Sequence, residues 1–128
     1  MKVYVAGKLT DRAIVKDVMK AIRDLGHQIT FDWTVRGSVA DRPDLRASVA
    51  DSEIYGVQEA NCLVVVLPGG RGTHVELGAA LARGKSVYML HLEEDSKDEY
   101  EYECVFYYHK LVKHFYSVYH LLDHLRSD

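Results

Sequence analysis

Two cysteines and two prolines in 128 residues exclude several architectures at once. Cys62 and Cys104 make neither a disulfide framework nor a metal-binding set, both of which need more thiols at regular spacing. Cys62 lies in an apolar run and reads as a small buried hydrophobe. There is no basic excess: the net charge is −3, so the cationic footprint of a duplex nucleic-acid binder is missing. There is no long hydrophobic run either. The longest apolar stretch, Cys62 to Pro68, falls far short of the roughly 20 residues a bilayer requires. The opening MKVYVAGKLTDR turns charged too soon for a secretory leader, so a cytoplasmic protein is expected. With 48% hydrophobic and 27% charged residues, disorder, collagen and coiled coil are excluded. One domain spanning 1–128 is expected, and a chain of this size buries roughly 68% of its unfolded surface without staples.

What is present alternates between strand and helix patterns. Residues 2–6 are β-rich and stop at Gly7. Residues 11–25 place Ile14, Val15, Val18, Ile22 and Leu25 at helical spacing, with Thr10 or Asp11 to cap and Gly26 to close. Residues 28–33 alternate as a strand does, and 34–42 read as a loop. Pro43 suits the first turn of a helix running to about Ala60. Residues 62–67 form a flat apolar strand, as in a sheet covered on both faces. A turn over 68–72, a helix from Thr73 to Arg83 and a strand over 86–91 follow. A fifth strand at Val105–Tyr108 and a last helix at Ser117–Arg126 complete the pattern.

This order implies an α/β fold with a doubly wound, five-stranded parallel sheet of order 2-1-3-4-5, flavodoxin- or Rossmann-like. Its switch point lies between strands 1 and 3 at their carboxyl ends, where Gly7 to Asp11 meets Pro68 to Glu76. The glycines Gly69, Gly70 and Gly72 let a ligand approach the backbone. The helix start behind them offers N–H groups, and Arg71 a fork-shaped charge, so an anionic ligand such as phosphate is favoured. Neither a GxGxxG nor a Walker A pattern is satisfied.

Three side chains stand out for chemistry. Glu76 has two readings: the partner of Thr73 in a capping box, or a carboxylate held ionised by the helix dipole and able to attack a sugar. Glu53 sits four residues from both Val49 and Val57 and so faces inward, unless the helix rolls it to the rim; Asp51 lies on the opposite side. Tyr4, near the end of the first strand, shares a face with Lys2 and Ala6 and reads as packing on its own. Asp32 and Lys8 either line the crevice or stay solvated. The seven acids of 93–103 read as a solvated loop or as a lid. His120 and His124 at i,i+4, with His109 and His114 before them, tempt a zinc assignment, but no HExxH motif or cysteine partner joins them, so neither metal nor cofactor is expected.

The segments Tyr4-Val5-Ala6-Gly7, Ile54 to Asn61, Leu67 to Ala80 and Gly84-Lys85 together resemble the nucleoside 2-deoxyribosyltransferase superfamily. Within it the similarity is nearest to the deoxynucleoside 5′-monophosphate N-glycosidases of the Rcl type. The resemblance covers residues 2–91, and the Gly-Thr-xx-Glu-Leu-Gly segment followed by Gly-Lys is its most specific part. It implies a glutamate nucleophile at Glu76, a second acid at Glu53 where the family usually carries Asp, and an orienting tyrosine at Tyr4. Gly7, Lys8, Gly70, Arg71, Gly72 and Thr73 would receive the sugar phosphate. Two departures argue against base transfer. The transferases carry an Asp six residues before the nucleophile, which here is Gly70. They also borrow an Asn from a neighbouring subunit, where this chain aligns Cys104. The implied activity is hydrolysis of (deoxy)nucleoside 5′-monophosphates through a glycosyl-enzyme intermediate. The alternatives are a base-exchanging deoxyribosyltransferase and a non-catalytic nucleotide-binding module. Nine tyrosines and seven histidines crowd toward the C-terminal end. Tyr100, Tyr102, Phe106, Tyr107, Tyr108, Phe115, Tyr116 and Tyr119 form the expected contact of a homodimer, since aromatics are enriched at interfaces.

Overall fold

The computed structural model describes residues 1–36, 38–92 and 104–126. Five strands form one sheet: β1 (Lys2–Ala6), β2 (Gln28–Ile29), β3 (Cys62–Val66), β4 (Ser86–Leu90) and β5 (Val112–Phe115). Their order is β2-β1-β3-β4-β5 and every pair is parallel, as the alternating pattern requires. Four helices flank the sheet among the described residues: α1 (Arg12–Asp24), α2 (Pro43–Glu59), α3 (Arg71–Ala82) and α4 (Val118–Arg126).

The period-two alternation of each strand divides the core between two faces. Val3 and Val5 of β1 join Val64 and Val66 of β3 under α1 and α4, against Val15, Met19, Ile22, Leu121 and Leu125. Tyr4 and Ala6 point the other way, with Leu63, Val65 and Met89, under Val57 of α2 and Leu77 and Ala80 of α3. Tyr4 is therefore committed to the α2–α3 side by register: it stands opposite Leu63, two residues before Ala6 meets Val65.

Helix boundaries follow local chemistry. Pro43 occupies the first turn of α2, and Gly26 closes α1 with φ +96°, a conformation that β-carbon sterics deny most residues. Asp11 stands before α1 without a side-chain capping bond, because residues 9–11 form a 3₁₀ turn that delivers the chain directly into the helix.

Four expectations are corrected. The segment Val105–Tyr108 is a 3₁₀ helix, and the fifth strand is Val112–Phe115. The first segment carries β-prone residues but buries only Tyr107. The real strand is a half-buried edge whose Lys113 and His114 hide it from an apolar pattern. β2 is only two residues long, since Asp32 accepts from the Thr34 N–H at 2.9 Å and turns the chain into a 3₁₀ helix at Trp33–Val35. Asp32 also meets Arg23 at 3.3 Å, so its role is structural. Finally, α3 begins at Arg71, two residues earlier than expected, with consequences for Glu76 described below. The acidic 93–103 segment, and with it Tyr100 and Tyr102, lies outside the described residues, as does Gly37. Among the described residues no helix is long and apolar enough to cross a membrane.

Candidate active site

At the carboxyl ends of β1 and β3 the sheet opens into a cavity of about 340 Å³. Gly7 and Lys8, from the loop after β1, form one side with Gly70, Arg71, Gly72 and Thr73 of the β3–α3 turn. The two loops touch: a β-carbon at Gly70 would stand 3.6 Å from the Lys8 β-carbon. The opposite side comes from the chain after β2 and from α2, through Phe31, Trp33, Arg36, Val39, Val49 and Glu53. Glu76 lines the cavity as well.

Glu76 is not the capping residue that Thr-x-x-Glu suggests. The N-cap of α3 is Gly70, and Thr73 occupies the third helical position, where its Oγ1 accepts the Gly70 N–H at 3.0 Å. Thr73, 3% exposed, is thus engaged in capping at the cavity wall. Glu76 falls in the second turn and projects onto the sheet. There the Tyr4 hydroxyl donates a short hydrogen bond to its Oε2. Both partners are buried, Glu76 at 6% exposure and Tyr4 at 0%. Gly56 of α2 makes this possible. A β-carbon there would come within 3.0 Å of the Tyr4 ring and of the Phe31 β-carbon, so only glycine lets α2 lie against both.

Electrostatics follow from burial. Burial pushes Glu76 up to about 8; the Tyr4 hydrogen bond works against it, and the Glu53 charge adds to it. Burial first, and then the Glu76 charge, drive the Tyr4 hydroxyl upward, so it stays a donor. Burial also raises Glu53, while Arg36 pulls it back. A cavity lined by Lys8, Arg36 and Arg71 against two carboxylates that resist ionisation is suited to an anion.

All the expected site residues converge here: Gly7, Lys8, Glu53, Gly70, Arg71, Gly72, Thr73 and Glu76 line the cavity, and Tyr4 stands behind Glu76. Phe31, Trp33, Arg36 and Val49 also line the cavity, with no motif in the sequence to mark them. The signal for them was positional, since the chain leaving β2 emerges at the same edge of the sheet as β1. Trp33 is pinned there by its Nε1, which donates to the Val5 carbonyl at 2.7 Å. Also unanticipated is His74, which joins the Gly70 carbonyl (2.7 Å) to the Tyr107 hydroxyl (2.7 Å) and so ties the turn to the C-terminal region. The remaining histidines lie elsewhere: His120 bonds Ser117 at 2.9 Å, and His124 packs edge-on against Tyr88 at 4.9 Å.

The sequence profile of the family described as nucleoside 2-deoxyribosyltransferase matches residues 3–110. The chain belongs to that family. It is accordingly an enzyme of N-glycosidic chemistry, transferase or glycosidase. Three solved structures share the fold of this deoxyribosyltransferase-family chain. A conserved protein from Enterococcus faecalis V583 has a TM-score of 0.69 and 19% identity, over 99% of this chain and 98% of that one. The CMP N-glycosidase BcmB of Clostridium botulinum gives 0.62 and 19%, over 98% of each. A 2-deoxyribosyltransferase from the psychrotolerant Bacillus psychrosaccharolyticus gives 0.64 and 20%, over 96% of this chain and 91% of that one. No curated protein matches the deoxyribosyltransferase-family sequence significantly.

Proposed function

We propose that this chain hydrolyses the N-glycosidic bond of (deoxy)nucleoside 5′-monophosphates, with Glu76 as the nucleophile. One Glu76 oxygen attacks the anomeric carbon while the bond to the base nitrogen breaks. The base leaves with the electron pair and takes a proton from Glu53. Glu53 then accepts a proton from water, whose oxygen attacks the anomeric carbon and releases Glu76. Tyr4 fixes the attacking carboxylate throughout. The observation that carries this reading is the position of Glu76: buried, held by Tyr4, and in one cavity with Glu53, Lys8, Arg71 and the start of α3. The cationic end made by the last three is what a 5′-phosphate needs, because unpaired N–H groups and the positive end of the helix dipole add to the two side-chain charges.

The test is release of free base from dGMP or dCMP without an acceptor. A second free base that becomes joined to the sugar instead would place the chain among the transferases. Binding without turnover, unchanged in Glu76→Ala, would leave only a nucleotide-binding module. Replacing Arg71 or Lys8 by alanine is expected to raise KM for the monophosphate by about tenfold, the worth of one charge-assisted hydrogen bond. Turnover of the unphosphorylated nucleoside should not change. Equal effects on both substrates would remove the phosphate from this end.

We also propose a homodimer through the C-terminal aromatic region. Phe106, Tyr108, Tyr116 and Tyr119 expose between 44% and 70% of their surface, which supports this; Tyr107 and Phe115 instead pack inside. Sedimentation should give a dimer at micromolar concentration, and a monomer at high micromolar concentration would rule it out.

A further inference from the structure

The cavity has two unlike ends, and Glu76 lines it where it bonds Tyr4 of β1, the strand between β2 and β3. Lys8, Gly70, Arg71 and Gly72 form the cationic end, while Phe31, Trp33, Val39 and Val49 give the other an apolar surface. In a nucleotide the anomeric carbon lies between the 5′-phosphate and the base. With the phosphate at the cationic end and Glu76 at the anomeric carbon, the base falls against Phe31, Trp33 and Val39. This placement rests on the function proposed above.

The apolar end carries two charged groups, Glu53 and Arg36. Glu53 has the proton to handle, and the Arg36 charge acts on its carboxyl without an ion pair to it within 4.0 Å. Arg36 follows the 3₁₀ helix of Trp33–Val35, so the pinned indole also positions it. Its backbone carbonyl accepts from Arg12 at 3.5 Å, and among the described residues its guanidinium makes no ion pair within 4.0 Å. The five donors of an unpaired guanidinium at the rim of an apolar slot are available to a ligand.

We infer that Arg36 is the residue that selects the base, its guanidinium donating to two adjacent acceptors on the base edge. Guanine presents such a pair at O6 and N7, the commonest target of a bidentate arginine. Cytosine presents another at O2 and N3. Adenine sets an amino donor beside N1 and N7, so one N–H of the fork faces another donor and goes unpaired. The chain therefore takes guanine and cytosine nucleotides ahead of adenine nucleotides.

Trp33 is the sole tryptophan and lines the cavity, so its fluorescence reports binding without turnover. The measurement titrates dGMP, dCMP, dAMP, deoxyguanosine and deoxyadenosine into the Glu76→Gln protein, alone and combined with Arg36→Met. The parent is expected to bind dGMP and dCMP about tenfold more tightly than dAMP, the lower range for one bidentate contact at an exposed arginine. Arg36→Met should abolish that preference and leave dAMP within about twofold. Arg36 is exposed, so the variant should keep its fold, which circular dichroism checks. A parent without base preference, or an Arg36→Met variant that weakens every base equally, overturns the inference. The failure of the functional reading looks different: monophosphates would bind no better than nucleosides. The deoxyguanosine to deoxyadenosine ratio then still decides the role of Arg36.

Discussion

Glu76→Gln is expected to cut base release by at least about 10³-fold while making the protein more stable at pH 8. The loss of activity follows from removing the attacking oxygen. The gain in stability follows from burial. The Glu76 carboxyl titrates at about 8 in the folded chain, against an ordinary value of 4.5. Between those values the folded state holds a proton that the unfolded state has released. Raising the pH across that window therefore destabilises the wild type. Glutamine carries no charge to desolvate and still accepts from Tyr4. Its advantage should be small near pH 4 and on the order of 4 kcal/mol by pH 8. Denaturant titrations of both proteins at the two pH values measure it. The same titration shapes catalysis: turnover needs Glu76 ionised while Glu53 still holds its proton, so kcat/KM of the wild type should follow a bell-shaped curve in pH. A stability difference independent of pH would mean that Glu76 is not the buried titrating group.

Glu53→Gln should reduce kcat by about 10²–10³-fold on ordinary bases, the range for losing a general acid. Two further effects separate this role from a structural one. A base that departs without needing a proton, such as a 7-methylated purine, should be released nearly as fast by the variant as by the wild type. The falling limb of the pH profile, set by loss of the acid's proton, should also vanish in the variant. An equal loss on both kinds of leaving group, with the falling limb retained, would remove Glu53 from proton transfer. Because Glu53 is only partly buried, its replacement should disturb the fold little.

The sheet was legible where strands are buried on both faces. β1, β3 and β4 read as apolar runs bounded by glycine, and their ends were expected within one residue or so. β5 was not, because an edge strand need not be apolar, and Lys113 and His114 broke the pattern while a neighbouring 3₁₀ helix imitated it. Glu53 could be placed from its spacing to Val49 and Val57, a local property of one helix. The cap of α3 could not, since a glycine N-cap leaves no side-chain signature and Thr73-x-x-Glu76 matches a different motif. The bond between Tyr4 and Glu76 spans 72 residues; only the family resemblance anticipated it. Trp33 and Arg36 escaped notice because they belong to an irregular segment, whose path is set by tertiary contacts such as the indole bond to Val5.

The claim that Glu76 is the nucleophile is tested most directly by trapping the glycosyl-enzyme. A 2′-fluorinated nucleoside 5′-monophosphate slows release of the sugar from the enzyme, and mass spectrometry of the digested protein locates the adduct. The expected result is one fluorinated sugar phosphate on the peptide containing Glu76, formed with one equivalent of released base and absent in Glu76→Gln. Base released in that first turnover with the sugar phosphate bound to another residue, or an adduct that persists in Glu76→Gln, would contradict it.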